Sequence, residues 1–512
     1  MRRFRSNALT SLLLWAASTS FGGADNEPLA ERRWFESRTL HFHTYSCGET
    51  QEVAKLAARL EQFHEAYSLL AGAQATASPP IIVMAFPSHA AMKPFLPLYE
   101  GKPANLAAFF AHGSDENLIV LYLSPEGAES LDRVFHEYTH LLLRHNELFW
   151  PLWLKEGMAE IYATFETTGR HGIRVGKPIA HHLEFLSHGH WLPLSRLFAV
   201  GHDSPDYNEG ERQGIFYAES WLLTHYLMLG DNAAYKARFG QLTRLLRQGQ
   251  SPEQAFVHAF QTTLPAMESQ LHRYFQQGIF QPLELTVPTD LYAPRVMATR
   301  DLTPVEVWFR LGDEQLRIGR RESAESHFNH ARNVAPASPL PYEGLGLLAA
   351  ERHQSAEAAR YLHDALQRGS ASFLAHYVYA REKFQLTARG EDRYAALPKE
   401  SAAEVRAELH KSLELMPDFG PAHHLLGFLE LVQGENLASA EAQLQRAIQL
   451  EPENPAYLLS LAQVQLARRD SQSARATLQA LRLPYIEAPL RAQAEALLAE
   501  LGPPSAAGGP KR

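Results

Sequence analysis

The sequence predicts an α+β domain followed by an all-α superhelix of repeated helical hairpins. Three observations carry that reading. An amphipathic helical stretch holds His136-Glu137-Tyr138-Thr139-His140, short apolar runs of strand character precede it, and from about Val305 small residues recur every 34 residues. At 512 residues the chain is long enough for two or more domains with full cores. Its 45% hydrophobic and 21% charged residues describe an ordinary globular composition. The formal net charge of −9 gives no reason to expect nucleic acid or an anionic membrane as partner.

Met1-Arg2-Arg3-Phe4-Arg5 is a positive start, followed by the apolar stretch Ala8 to Ala17 and small residues up to Gly22-Gly23-Ala24. This pattern predicts a secretory signal peptide over residues 1–24, because the apolar core is too short to cross a bilayer. An uncleaved anchor is the alternative. No other apolar run is long enough to span a membrane. Cys47 is the sole cysteine, so no intrachain disulfide forms, and its position does not suggest lipid attachment. Export without disulfides points to the periplasm or exterior of a bacterium.

The elements before the His-Glu-x-x-His stretch follow from periodicity. Val53, Leu56, Leu60, Phe63 and Tyr67 predict a helix from Thr50 to Leu70, and the apolar run Pro80 to Phe86 predicts a buried strand. Leu106 to His112 and Asn117 to Leu123 read as two further strands. In the helix that follows, His136 and His140 are four apart and share one face, as two imidazole ligands of one zinc must. Glu137 lies one step round, where it reaches a zinc-bound water rather than the metal. This is the zincin arrangement. The alternative is an amphipathic helix whose histidines are merely polar. The stripe of Leu131, Val134, Phe135, Tyr138, Leu141 and Leu142 fits both readings, so a third ligand decides.

After His140 come fifteen residues and then Glu156, within Pro151-Leu152-Trp153-Leu154-Lys155-Glu156-Gly157-Met158-Ala159-Glu160-Ile161-Tyr162. Pro151 suits the first turn of a second helix. The first helix is expected to end near Arg144 or His145, leaving His145 to Phe149 to turn an antiparallel pair. Glu156 then approaches the open side of the two histidines, and a His₂Glu set leaves a fourth position for water, as catalytic zinc requires. Glu160, one turn on, is placed to accept a hydrogen bond from the far nitrogen of a ligand histidine. Its alternative role is a surface carboxylate. Glu147 reads as a solvated turn residue. The other histidines, including His181-His182, show no ligand spacing.

Trp153-Leu154-x-Glu156-Gly157-x-Ala159-Glu160-x-Tyr162 after a His-Glu-x-x-His helix resembles the gluzincin clan of zinc metallopeptidases. The likeness is closest to secreted bacterial gluzincin-like proteins that carry tetratricopeptide repeats. It implies Zn²⁺ held by His136, His140 and Glu156, with Glu137 as general base. The spacing of fifteen is slightly shorter than in the clan's aminopeptidases, and no amine-binding Gly-rich motif stands upstream. Endopeptidase activity is therefore the default expectation. The resemblance also implies an opening strand at Arg38 to Tyr45 and pairing of substrate backbone with an edge strand, for which Leu106 to Phe110 is the candidate. Ile215 to Tyr226 resembles the clan's helix after the third ligand, starting beyond the polar loop Gly201 to Gly214. Tyr217 is the expected oxyanion donor and His225 the second choice. An ordinary half-buried aromatic is the alternative for Tyr217.

In the second half, Gly312, Ala324, Ala331 and Pro336 fall where a tetratricopeptide repeat needs small residues and a helix-ending proline. Gly346, Ala358 and Ala365 repeat the pattern, and Ala380 follows Gly346 by the same 34 residues. Gly427 comes 13 residues late, which predicts an insertion near residues 387–401, marked by Arg389-Gly390-Glu391-Asp392 and Pro398. Ala447 and Pro452 close a fourth repeat, and Ala462, Ala474 and Pro484 mark a fifth. The expected boundaries are a gluzincin-like domain at 25–296, about five repeats at 303–487, a capping helix at 488–501 and a disordered tail at 502–512.

The functional expectation is an exported zinc peptidase with peptide or protein substrates, whose repeat groove binds a protein segment or recruits the substrate. The alternative is a catalytically inactive, peptidase-like scaffold for protein–protein interaction in the cell envelope.

Overall fold

The computed structural model describes residues 29–502, apart from segments 72–80, 124–127, 144–149, 231–232, 288–289, 292–297, 389–393 and 483–485 and positions 100, 105, 114, 189, 209 and 453. The expected signal peptide, nearly all of the expected tail, Glu147, the 144–149 turn, Arg389 to Asp392 and Pro484 lie outside the described residues. The chain divides into two compact units between Leu302 and Thr303. Among the described residues no helix is long and apolar enough to cross a membrane.

The first unit runs β1 (Phe35–Arg38), β2 (Phe42–Ser46), α1 (Thr50–Ala71), β3 (Ile81–Phe86), α2 (His89–Met92), β4 (Leu98–Tyr99), β5 (Lys102–Pro103), β6 (Ala108–His112) and β7 (Asn117–Tyr122). It continues through α3 (Ala128–Leu143), α4 (Leu152–Ala163), β8 (Glu166–Thr167), β9 (Gly172–Val175), α5 (Ala180–His188), α6 (Leu194–Ala199), α7 (Pro205–Asn208) and α8 (Gly210–Met228). Next come α9 (Ala233–Arg247), α10 (Pro252–Phe260), α11 (Leu264–Gln277), β10 (Leu283–Thr286) and β11 (Ala298–Asp301). The main sheet has the order β11-β1-β2-β3-β7-β6. Its centre is parallel and both flanks are antiparallel, so the sheet is mixed.

Every residue of β3 is buried, as a central strand covered on both faces requires. On one face Val83 and Ala85 join the large core with α1 and α3; on the other, Phe86 meets Trp34 edge-on at 5.9 Å and stacks on Phe95 at 4.9 Å. β6 stands at the end of the sheet order, paired with β7 alone.

The expected opening strand Arg38 to Tyr45 is in fact the corner of a hairpin. Thr39 N–H donates to Phe42 O at 2.9 Å, so the chain reverses at Leu40, whose side chain is exposed, and β1 pairs antiparallel with β2. A three-residue turn without glycine or proline left no mark in the sequence pattern. Pro151 is likewise one step outside its helix, capping α4 with an extended backbone.

The second unit is an array of tetratricopeptide-type hairpins. The pairs are α12 (Pro304–Arg317) with α13 (Arg321–Val334), α14 (Leu340–Glu351) with α15 (Ser355–Gln367), and α16 (Phe373–Thr387) with α17 (Lys399–Leu415). Then follow α18 (Gly420–Gln433) with α19 (Leu437–Leu450), α20 (Pro455–Ala467) with α21 (Ser471–Ala480), and a single last helix α22 (Ala488–Glu500). The extra residues fall inside the third hairpin, between α16 and α17, with Leu397 buried and Tyr394 packed on Phe384 and Phe428. The recurrent alanines 324, 331, 358, 365, 380, 447, 462 and 474 are all fully buried.

The recurrent glycines mark where two helices of a hairpin come closest. A Cβ on Gly346 would sit 2.5 Å from Leu362 Cγ and 3.2 Å from Leu362 N. Alanine there gains about 1 kcal/mol of helix propensity, whereas overpacking costs about 1–3 kcal/mol. At 2.5 Å the overlap wins. Gly346→Ala is therefore expected to lower the unfolding midpoint of the array in urea or thermal melts of the full chain; an unchanged or raised midpoint would contradict this packing.

Candidate metal centre

α3 is amphipathic, and its apolar face is fixed by aromatic contacts. Phe135 stacks on Phe63 at 4.4 Å, and Tyr138 packs edge-on against Phe42 at 5.4 Å. That burial turns His136 and His140 toward α4. α4 is held from its other side, where Trp153 stacks on Phe198 at 5.1 Å and Gly157 lies directly against Ser220 and Thr224 of α8. A Cβ on Gly157 would be 2.1 Å from Thr224 Oγ1 and 2.4 Å from the Ser220 carbonyl oxygen, so only glycine permits this approach. Glu156, the residue before it, is thereby presented to α3.

Three atoms converge. His136 Nε2 and His140 Nε2 are 3.3 Å apart, and Glu156 Oε2 is 3.3 Å from each of them. Glu156 Oε2 is buried without a hydrogen-bond partner. Four ligands arranged tetrahedrally at about 2.0–2.1 Å from an ion stand about 3.3–3.4 Å from one another. The observed triangle has those edges. Among the described residues it is the one group of three or more His, Cys, Asp or Glu side chains able to hold a metal ion.

The electrostatics match a site that binds a cation. Burial lowers the affinity of both imidazoles for a proton, but Glu160 and Glu156 raise His136 well above the usual histidine range, and Glu156 raises His140. Burial opposes the charge on Glu156 as well, yet the two histidines hold its carboxyl well below the ordinary carboxylate range. Positive charge is what these buried groups need, from protons or from a metal.

Glu160 extends the arrangement. Its Oε1 is 3.3 Å from His136 Nδ1, the ring nitrogen facing away from the triangle, and its Oε2 is 3.1 Å from His182 Nε2. Glu137 is half-buried beside Arg133 on α3 and faces Phe109 and Phe110 of β6. It is outside the triangle but next to the edge strand.

Tyr217 lies further along its helix than the sequence implied. α8 begins at Gly210 and α7 interrupts the supposed polar loop, so the loop Gly201 to Gly214 is largely helical. The ring of Tyr217 is 6.2 Å from that of His136 and stacks on that of Tyr207 at 6.0 Å. His225, the second choice, belongs to the core. Its Nε2 donates to Gly176 O at 3.0 Å and its Nδ1 accepts from the Tyr274 hydroxyl at 2.8 Å, so both ring nitrogens are committed.

Sequence reasoning missed two residues. The Tyr207 hydroxyl donates to Glu156 Oε1 at 3.2 Å. Its short helix is pinned by Arg196, which donates to both Asp206 oxygens at 2.7 Å, and by Asn208, whose amide donates to His202 O and Ser204 O. A helix of four residues has no readable period. His182, set aside as one of many scattered histidines, is buried against Glu160. Its only sequence signal was adjacency to a second histidine, which carries no geometry.

No family model matches this chain. No curated protein matches it either. Among solved structures, a thermophilic TPR (tetratricopeptide repeat) protein in Thermus thermophilus is 22% identical, over 38% of this chain and 99% of that one, with a TM-score of 0.29. YrrB, described as a TPR protein with an unusual peptide-binding site, is 15% identical over 38% of this chain and 91% of its own, with a TM-score of 0.31. PilF of Pseudomonas aeruginosa is 18% identical over 39% of this chain and 93% of its own, with a TM-score of 0.30. At such scores the hairpin fold of the second unit rests on its own helix packing, and the first unit stands on its mixed sheet and the triangle of His136, His140 and Glu156.

Proposed function

We propose that the chain is an exported zinc-dependent peptidase of gluzincin type, with the repeat array serving to bind a protein partner or recruit the substrate. The observation that carries this reading is the 3.3 Å triangle, with its Glu156 oxygen buried against both imidazoles and making no hydrogen bond. His136, His140 and Glu156 would hold Zn²⁺, whose tetrahedral N/O preference fits this donor set. The bound ion would supply Lewis acidity and bring the pKa of a coordinated water toward about 7.

The protein's own groups then have distinct tasks. Glu137, next to His136 and beside the β6 edge, takes the proton of the attacking water and passes it to the leaving amine. β6 offers its free edge to an extended substrate backbone. The hydroxyls of Tyr217 and Tyr207 face the developing oxyanion and Glu156 respectively: Tyr217 as donor to the reacting oxygen, Tyr207 as the group that orients the ligand carboxylate. Glu160 accepts from His136 Nδ1–H and so fixes the tautomer that leaves Nε2 free for the metal. The positive start and apolar stretch Ala8 to Ala17 support export.

Metal content of the purified protein tests this reading. About one zinc per chain is expected in wild type, lost in His136→Ala and in Glu156→Ala while the fold survives. No zinc in wild type, even after adding it back, would sink the enzyme reading and leave the repeat array as the working part.

A further inference from the structure

The Glu160 carboxylate bridges two imidazoles. Oε1 faces His136 Nδ1 at 3.3 Å and Oε2 faces His182 Nε2 at 3.1 Å. All three side chains are largely buried, with Glu160 13% and His182 3% exposed. His182 is enclosed in turn by Trp221, 6.0 Å between rings, and by His181, edge-on at 4.4 Å.

We propose that His182 is a positioning residue of the metal centre, acting through Glu160; this rests on the zinc-site reading above. A carboxylate contacted at one oxygen only is free to turn about its last carbon–carbon bond. The contact at Oε2 fixes its plane, and with it the direction from which Oε1 meets His136 Nδ1. That direction sets the ring orientation of His136, and hence where its Nε2 points in the triangle. Without His182 the Oε2 atom loses this imidazole contact, and the carboxylate is free to turn away from His136. α5 thus contributes to a centre whose candidate ligands all come from α3 and α4.

Zinc and cobalt affinity, read by competition with a chromogenic chelator, tests this on the full chain. Wild type, His182→Ala and His182→Gln are compared, with thermal unfolding of each metal-free protein as the control. Glutamine carries an amide donor at the place of Nε2. His182→Ala is expected to weaken zinc binding about tenfold, the lower end of what partners behind a ligand contribute. It should also change the visible absorption bands of bound cobalt, while His182→Gln restores most of both. Undiminished affinity with an unchanged cobalt spectrum in His182→Ala overturns the proposal. So does an equal loss in both variants when His182→Gln unfolds like wild type. Absence of metal from wild type is a separate result, which removes the zinc-site reading itself.

Discussion

Glu137→Gln is expected to leave about one zinc per chain in place and to lower hydrolysis of a mixture of unstructured peptides by about 10²–10⁴-fold, the range of a lost general acid–base. The two halves of this result have separate causes. Glu137 is not among the three side chains whose ligand atoms converge, so its amide should not disturb the metal. Glutamine matches glutamate in size but cannot take a proton from water. Turnover measured beside metal content separates the effects. Retained turnover would remove Glu137 from the general-base role, and lost metal would show that Glu137 supports the ligands instead.

A second large effect is expected at Gly157. Alanine there would place a carbon 2.1 Å from Thr224 Oγ1 and 2.4 Å from the Ser220 carbonyl oxygen. The threonine can rotate; the carbonyl belongs to the backbone of α8 and cannot move without moving that helix. Overpacking commonly costs about 1–3 kcal/mol and more where backbone must shift, so Gly157→Ala should reach or exceed the top of that range. Because Glu156 is the adjacent residue, displacement of α4 also carries Glu156 Oε2 out of the triangle. Thermal unfolding and zinc content should therefore fall together. A variant with wild-type midpoint and full zinc would show that α4 and α8 have slack that this packing excludes.

Glu137 tests chemistry at a fixed geometry, whereas Gly157 tests how the geometry is maintained. His182 lies between them, since it alters no candidate ligand and no helix approach but fixes the orientation of one imidazole.

How much was legible in the chain follows from the range over which each signal acts. His136, His140, Glu156 and Glu160 were readable because a helix turns a separation of four into neighbourhood on one face, and a short connection folds the next helix back. The hairpin array was readable because its packing repeats: each glycine or small residue at a close crossing recurs when the next hairpin makes the same crossing. The reversal at Leu40 was not readable, because Thr39 makes it with a backbone hydrogen bond and no turn residue. Nor was the commitment of His225, whose partners Gly176 and Tyr274 each lie 49 residues away.

By itself, then, the sequence determined the helices that carry the candidate ligands, the residues on their inner face, and the period of the array. Local spacing is enough for all three. Only the tertiary structure decided that Tyr207 reaches Glu156 across 51 residues, that His182 reaches Glu160, and that Glu137 faces an edge strand. Those contacts depend on how α5, α7 and β6 pack around α3 and α4, and a side chain that meets its partner only through such packing leaves no periodic trace in the chain.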